Sequence, residues 1–143
     1  MDPRRQYTHT FTVPASDIDE LGHVNNAVYL RYMEEAARAH ADHVGAGLEV
    51  MKELGAVPVA RHHSITYHLP AHEGDVIAVT TEITSAGGVR SVRHHDVRRA
   101  STGELLVEAD TQWVWVDPVR HRPKRVPHAI MERFGWAGEA SAS

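Results

Sequence analysis

Residues 7–13 alternate Tyr7, His9, Phe11 and Val13 against Thr8, Thr10 and Thr12, the period of a strand with one buried face. A first strand is therefore expected over Tyr7 to Pro14. A polar loop follows, and from about Asn26 the period changes. Tyr29, Met33, Ala36, Ala37, His40 and Val44 recur at helical spacing and predict a long amphipathic helix. Asn25 or Asn26 is its natural N-cap, Gly45 and Gly47 end it, and Leu48 to Leu54 adds another helical turn or two. The i,i+4 pairs Arg31–Glu35 and Glu34–Arg38 contribute only about 0.3–0.5 kcal/mol each at a surface, so burial must hold this helix.

After Gly55 the alternation returns, through Val57-Pro58-Val59-Ala60 to His63, Ile65, Tyr67 and Leu69, and stops at Pro70. Gly74-Asp75 opens a run from Val76 to Thr84. Gly87-Gly88 turns the chain into Val89 to Arg99, and Thr102-Gly103 turns it into Leu105 to Val116. Strand, long helix, then four strands in sequential hairpins is an α+β plan: a five-stranded antiparallel sheet with the long helix packed on one face. Residues 118–127 read as turns and 128–134 as a short helix. One domain over 1–136 and a disordered tail over 137–143 complete the expectation.

Composition narrows the class. A globular chain of 143 residues buries about 68% of its unfolded surface and needs no staple. It has no cysteine, so disulfides and thiolate nucleophiles are excluded, and the cytoplasm is the expected compartment. No run approaches the roughly 18 apolar residues of a membrane span. A net charge of -4 argues against bulk nucleic-acid binding, although Arg90, Arg93, Arg98 and Arg99 concentrate positive charge in one segment. The 12 histidines give no metal signature. His62-His63 and His94-His95 are neighbours that point to opposite faces of a strand, and His40 and His43, at i,i+3, have no third ligand of the required kind. No metal is expected.

The segment from Asp17 to Leu30 carries the chemistry, because it sets acids, a glycine and an asparagine pair just before the long helix. A helix start offers unpaired backbone N–H groups to a developing oxyanion, and an adjacent carboxylate can serve as base or nucleophile. Gly22 permits a tight turn and close backbone approach to a substrate. Asp17 competes with Asp19, since acids at i,i+2 share a face if the strand runs that far.

Asp19-x-x-Gly22-His23-Val24-Asn25-Asn26-x-x-Tyr29, followed by Glu35-Ala36-Ala37-Arg38, resembles the hot-dog fold acyl-CoA thioesterases of the hydroxybenzoyl-CoA thioesterase type. Tyr67-His68-Leu69-Pro70-Ala71 with Gly74-Asp75, Gly88-Val89-Arg90-Ser91, and Val114-Trp115-Val116-Asp117 with Arg122-Pro123 and Pro127 resemble later segments of that family, over roughly Gln6 to Ile130. The resemblance implies a hot-dog fold and hydrolysis of a fatty or aromatic acyl-CoA to free acid and coenzyme A. It makes Asp19 the nucleophile or base, preferred over Asp17 by its spacing to Gly22. The N–H of Asn26 becomes the oxyanion donor, and His23 and Tyr29 become substrate contacts. No cofactor is implied beyond the coenzyme A of the substrate.

Arg90 and Arg93 are candidates for its phosphates, because arginine forks suit phosphate oxygens. His62, His63 and Ser64 are candidates for the acyl pocket. One branch of the family has a histidine where this chain has Asn26. Another carries its carboxylate on the helix, where Glu34 and Glu35 would be nearest. The resemblance also implies a homodimer with a continuous sheet and the site at its interface, and such dimers can pair into tetramers. A single helix cannot cover both faces of a sheet of this apolar content, which agrees with that assembly.

Two other functions share such a fold. A hydratase or dehydratase would use a histidine with an acid, for which His68 before Pro70 is the nearest match. A non-catalytic acyl-CoA sensor would bind without turnover.

Overall fold

The computed structural model describes residues 2–136. Strand β1 (Gln6–Thr12) leads through a short 3-10 turn (Ala15–Asp17) and a loop into helix α1 (Val28–His43) and helix α2 (Leu48–Leu54). Strands β2 (Val57–Tyr67), β3 (Val76–Gly87), β4 (Arg90–Arg99) and β5 (Leu105–Val116) follow, and helix α3 (His128–Arg133) closes the described chain. These are the strands and the long helix that the alternation predicts. The expected tail over 137–143 lies outside the described residues.

All five strands form one antiparallel sheet in the order β1-β3-β4-β5-β2. This corrects one expectation. β3, β4 and β5 are joined by hairpins, but β2 does not pair with β3; it crosses to the far edge and pairs with β5, Ile65 opposite Ala109. The reason is occupancy. β1 takes the free edge of β3, and Val13 and Asp75 extend that pairing through Val13 N–H to Asp75 O at 2.9 Å, so β5 offers the open ladder.

Helix α1 lies across the sheet and buries Tyr29, Tyr32, Met33, Ala36, His40 and Ala41, at the i, i+3, i+4 spacing of one stripe. The sheet answers with Ile77 and Val79 of β3, Val97 of β4, and Val107 and Ala109 of β5. A second apolar cluster, with Met51, Trp115, Ile130 and Phe134, sits beyond the helix C-terminus. Between the two, the helix-side face of the sheet is polar: Thr81, Arg93, His95 and Thr111 are all buried. The opposite face carries Thr8, Thr10, Thr80, His94, Asp96, Glu108 and Asp110. The face away from α1 is therefore largely polar, and apolar content on that face gives no reason for a second subunit to cover it.

Candidate active site

Two short devices shape the loop between β1 and α1. Asp17 is 5% exposed and accepts hydrogen bonds from Tyr32 Oη at 2.7 Å and Arg31 Nη2 at 2.6 Å, while its backbone oxygen accepts from Asn25 N–H at 3.1 Å. Burial works to raise its carboxyl pKa, but the hydrogen bonds from Tyr32 and Arg31 outweigh it and hold the group below its usual value. Asp17 and Asp19 do not share a strand face, because β1 has already ended. Asp17 is the fastener of the loop.

Asp19 closes the loop on itself. Its N–H donates to the His23 carbonyl at 2.8 Å, its own carbonyl accepts from Gly22 N–H at 3.0 Å, and Oδ1 accepts from Leu21 N–H at 2.9 Å and His23 N–H at 3.4 Å. Gly22 sits at φ +82°, where a side chain is strained, and so permits the turn. The other oxygen, Oδ2, accepts no hydrogen bond among the described residues. Its lone pairs are available to a ligand or a water.

The start of α1 is held by Asn25 rather than Asn26. Asn25 Oδ1 accepts the Ala27 N–H at 3.0 Å and its carbonyl accepts the Val28 N–H at 2.9 Å, whereas the formal cap residue, Ala27, has no side-chain cap. Among the described residues the N–H of Asn26 finds no acceptor, so this donor at the positive end of a 16-residue helix stays available.

Asp19 and Asn26 line one open cleft of about 470 Å³ together with Leu21, His23, Tyr29 and Tyr67. Tyr29 is almost wholly buried, and its hydroxyl accepts the Ala71 N–H at 3.2 Å; burial raises its pKa. Its ring forms part of the cleft floor. His23 reaches the cleft and meets His72 edge-on, with ring centroids 5.3 Å apart. His68, the hydratase candidate, also lines the cleft, with Nε2 3.9 Å from Glu108 Oε2.

The remaining candidates lie elsewhere. Arg93 is buried beneath α1, where Nη1 donates to His40 Nδ1 at 2.9 Å and to Thr81 Oγ1 at 3.0 Å, and burial lowers its pKa to about 10. It is not placed to meet a phosphate, because residues three apart on a strand face opposite ways; Arg90 alone is exposed. His62, His63 and Ser64 likewise do not act as a group. His63 turns inward to Thr111 Oγ1 at 2.9 Å, His62 and Ser64 point to the other face, and none of the three lines the Asp19 cleft within one chain.

Leu21, Leu69 and Tyr67 were not assigned to the site by sequence reasoning. They are 75%, 42% and 43% exposed and crowd the cleft mouth. Such apolar exposure beside a carboxylate is the feature that singles them out.

Comparison with known proteins shows the family of the chain. Residues 13–134 match the model of the thioesterase-like superfamily. The chain belongs to that superfamily. It is 30% identical over 118 residues to the acyl-CoA thioester hydrolase YbgC of Escherichia coli, covering 82% of this chain and 87% of that one. It is 25% identical over 118 residues to a chloroplastic acyl-acyl carrier protein thioesterase of Arabidopsis thaliana, again over 82% of this chain but only 62% of that protein's length. Among solved structures, the 1,4-dihydroxy-2-naphthoyl-CoA thioesterase Slr0204 from Synechocystis superposes with a TM-score of 0.83 at 23% identity, over 91% of this chain and 96% of that one. The hot-dog fold implied by the sequence resemblance is thereby shown. Among the described residues, no helix is long and apolar enough to cross a membrane.

Proposed function

We propose that residues 1–136 form a single cytoplasmic thioesterase unit that hydrolyses an acyl-CoA to free acid and coenzyme A, with Asp19 and the N–H of Asn26 as its working groups. The observation that carries this reading is their placement. Asp19, whose carboxylate has one oxygen unengaged among the described residues, and Asn26, whose N–H has no acceptor among them, line the same cleft. A thioester already has a good leaving group, so the protein has only to supply a nucleophile and stabilise the oxyanion.

Asp19 either attacks the thioester carbonyl or takes a proton from the water that does. The carbonyl oxygen becomes an oxyanion facing the Asn26 N–H; the C–S bond then breaks and the thiolate leaves, taking up a proton. In the water route, the proton gained by Asp19 is the one returned to sulfur. In the nucleophilic route the acyl group is left as an anhydride on Asp19, and water then cleaves that anhydride, releasing the free acid, restoring the carboxylate and supplying the proton that the thiolate takes up. Leu21, Tyr67 and Leu69 offer apolar surface to the acyl or pantetheine portion; Arg90 is exposed but sits opposite Val114, at the other end of the sheet from Tyr67 and outside this cleft. The same reading includes a homodimer paired through β2. That strand is an edge with its outer ladder open, and its C-terminal residue, Tyr67, lines the cleft.

Thiol release from aliphatic and aromatic acyl-CoA esters tests this, comparing the native protein with Asp19→Asn and His68→Ala. Hydrolysis should fall by two or more orders of magnitude in Asp19→Asn and stay within about threefold in His68→Ala. Full activity in Asp19→Asn, or no release from any ester, would overturn the reading, and loss confined to His68→Ala would move it to histidine chemistry.

A further inference from the structure

We propose that Tyr67 is a positioning residue for the oxyanion donor, holding the first peptide of α1 in place from the end of β2; this rests on the thioesterase reading above. Tyr67 Oη donates to the Asn26 carbonyl at 3.0 Å, a bond between residues 41 apart in the chain. The N–H of that same peptide unit belongs to Ala27 and is held by Asn25 Oδ1 at 3.0 Å. The Asn26–Ala27 peptide is thus pinned at both ends, from β2 on its oxygen and from the loop on its nitrogen.

The preceding peptide is the one that matters chemically, because its N–H is the Asn26 donor. Its carbonyl, on Asn25, is held by the Val28 N–H at 2.9 Å. Only two torsions, φ and ψ of Asn26, connect the two peptides. A single hydrogen bond on the Asn25 carbonyl does not stop its peptide from tilting about that bond, so the direction of the Asn26 N–H also depends, through φ and ψ, on the neighbouring plane. Loss of the Tyr67 bond leaves that plane held by the Ala27 N–H alone and loosens the donor.

Two further observations separate this role from ordinary structural support. Tyr67 is 43% exposed, so its hydroxyl would find water without this bond, and a hydrogen bond of that kind contributes little net stability. Its ring, by contrast, has packing of its own. It meets Tyr29 edge-on with centroids 5.7 Å apart, and the Tyr29 hydroxyl is in turn fixed by the Ala71 N–H at 3.2 Å. The ring supplies the anchor and the hydroxyl supplies the aim. A donor displaced by a fraction of an ångström loses much of its value to an oxyanion while the substrate still binds.

The experiment is steady-state thiol release by Tyr67→Phe and Tyr67→Ala beside the native protein and Asp19→Asn, with thermal melting of each. Tyr67→Phe keeps the ring. Its kcat should fall by about tenfold or more, with KM within about twofold, an unchanged pH profile and an unchanged melting temperature. Tyr67→Ala should lose at least as much kcat and also melt lower. Native kcat in Tyr67→Phe while Asp19→Asn is inactive overturns this proposal and leaves the thioesterase reading standing, as does a loss confined to KM. Absence of thiol release by the native protein overturns both.

Discussion

At the scale of single residues, Asp17 and Asp19 show how two similar side chains are given different work by what surrounds them. Asp17 is bonded on both carboxylate oxygens and sealed from water, whereas Asp19 is bonded on one and opens onto a cleft. Removal of the Asp17 carboxylate leaves the Tyr32 hydroxyl buried without its acceptor, a loss of about 2 kcal/mol. Asp17→Ala should therefore melt roughly 5 °C lower, while Asp17→Asn, which retains an acceptor, should lose less; calorimetry of the pair checks this. The loop that brings Asp19 and Asn26 to one cleft was legible in the sequence, because the spacing from Asp19 to Gly22 and Asn26 is local. Arg93 was not. Its inward neighbours on β4 are Ser91, His95 and Val97, a mostly polar face, and apolar periodicity cannot reveal a buried face that is not apolar.

At the scale of elements, that polar face gives α1 an unusual contact with the sheet. Arg93 donates to His40 Nδ1, so His40 carries its proton on Nε2 and donates it to the Arg4 carbonyl at 2.6 Å, linking β4, α1 and the N-terminal segment. Burial, reinforced by the nearby Arg93 charge, lowers the His40 pKa to about 4. His95, buried on the same face, is lowered to about 3 by the same two causes. A histidine that is harder to protonate when folded binds more protons in the unfolded chain. Its contribution is thus complete above about pH 6.5 and is lost as the pH falls toward 4.

For His40 alone the loss is on the order of 3 kcal/mol. The melting temperature should fall across that window, and His40→Gln should flatten the slope there; melts taken every half pH unit decide it. The existence of α1, β1 and the β3-β4-β5 hairpins was legible because each is set by short-range periodicity and turns. The place of β2 was not, because a strand's partner is chosen by which edge remains open once the others have paired.

At the scale of the whole molecule, the position of β2 carries the consequence. It is eleven residues long, pairs with β5 on one side and leaves a full ladder of backbone groups on the other. Pairing of two such edges about a twofold axis would run antiparallel and set residues near the middle of β2, such as His62 and Ser64, close to their own counterparts. It would also bring each chain's Tyr67 end, with its cleft, beside the first residues of its partner's β2. On that pairing His62 and Ser64 lie at the seam, and the groups added to each cleft come from the start of the partner's β2.

The expected mass in solution is about 32 kDa, twice that of the 15.9 kDa chain. A variant carrying both His62→Glu and Ser64→Glu sets like charges against each other at the centre of the pairing, where such pairs are destabilising. Light scattering should report a shift of that variant toward the single chain, with thiol release falling in step. A native protein that elutes and scatters as one chain while hydrolysing thioesters would show that the cleft works alone and that the β2 edge, irregular between Ala60 and His62, does not pair.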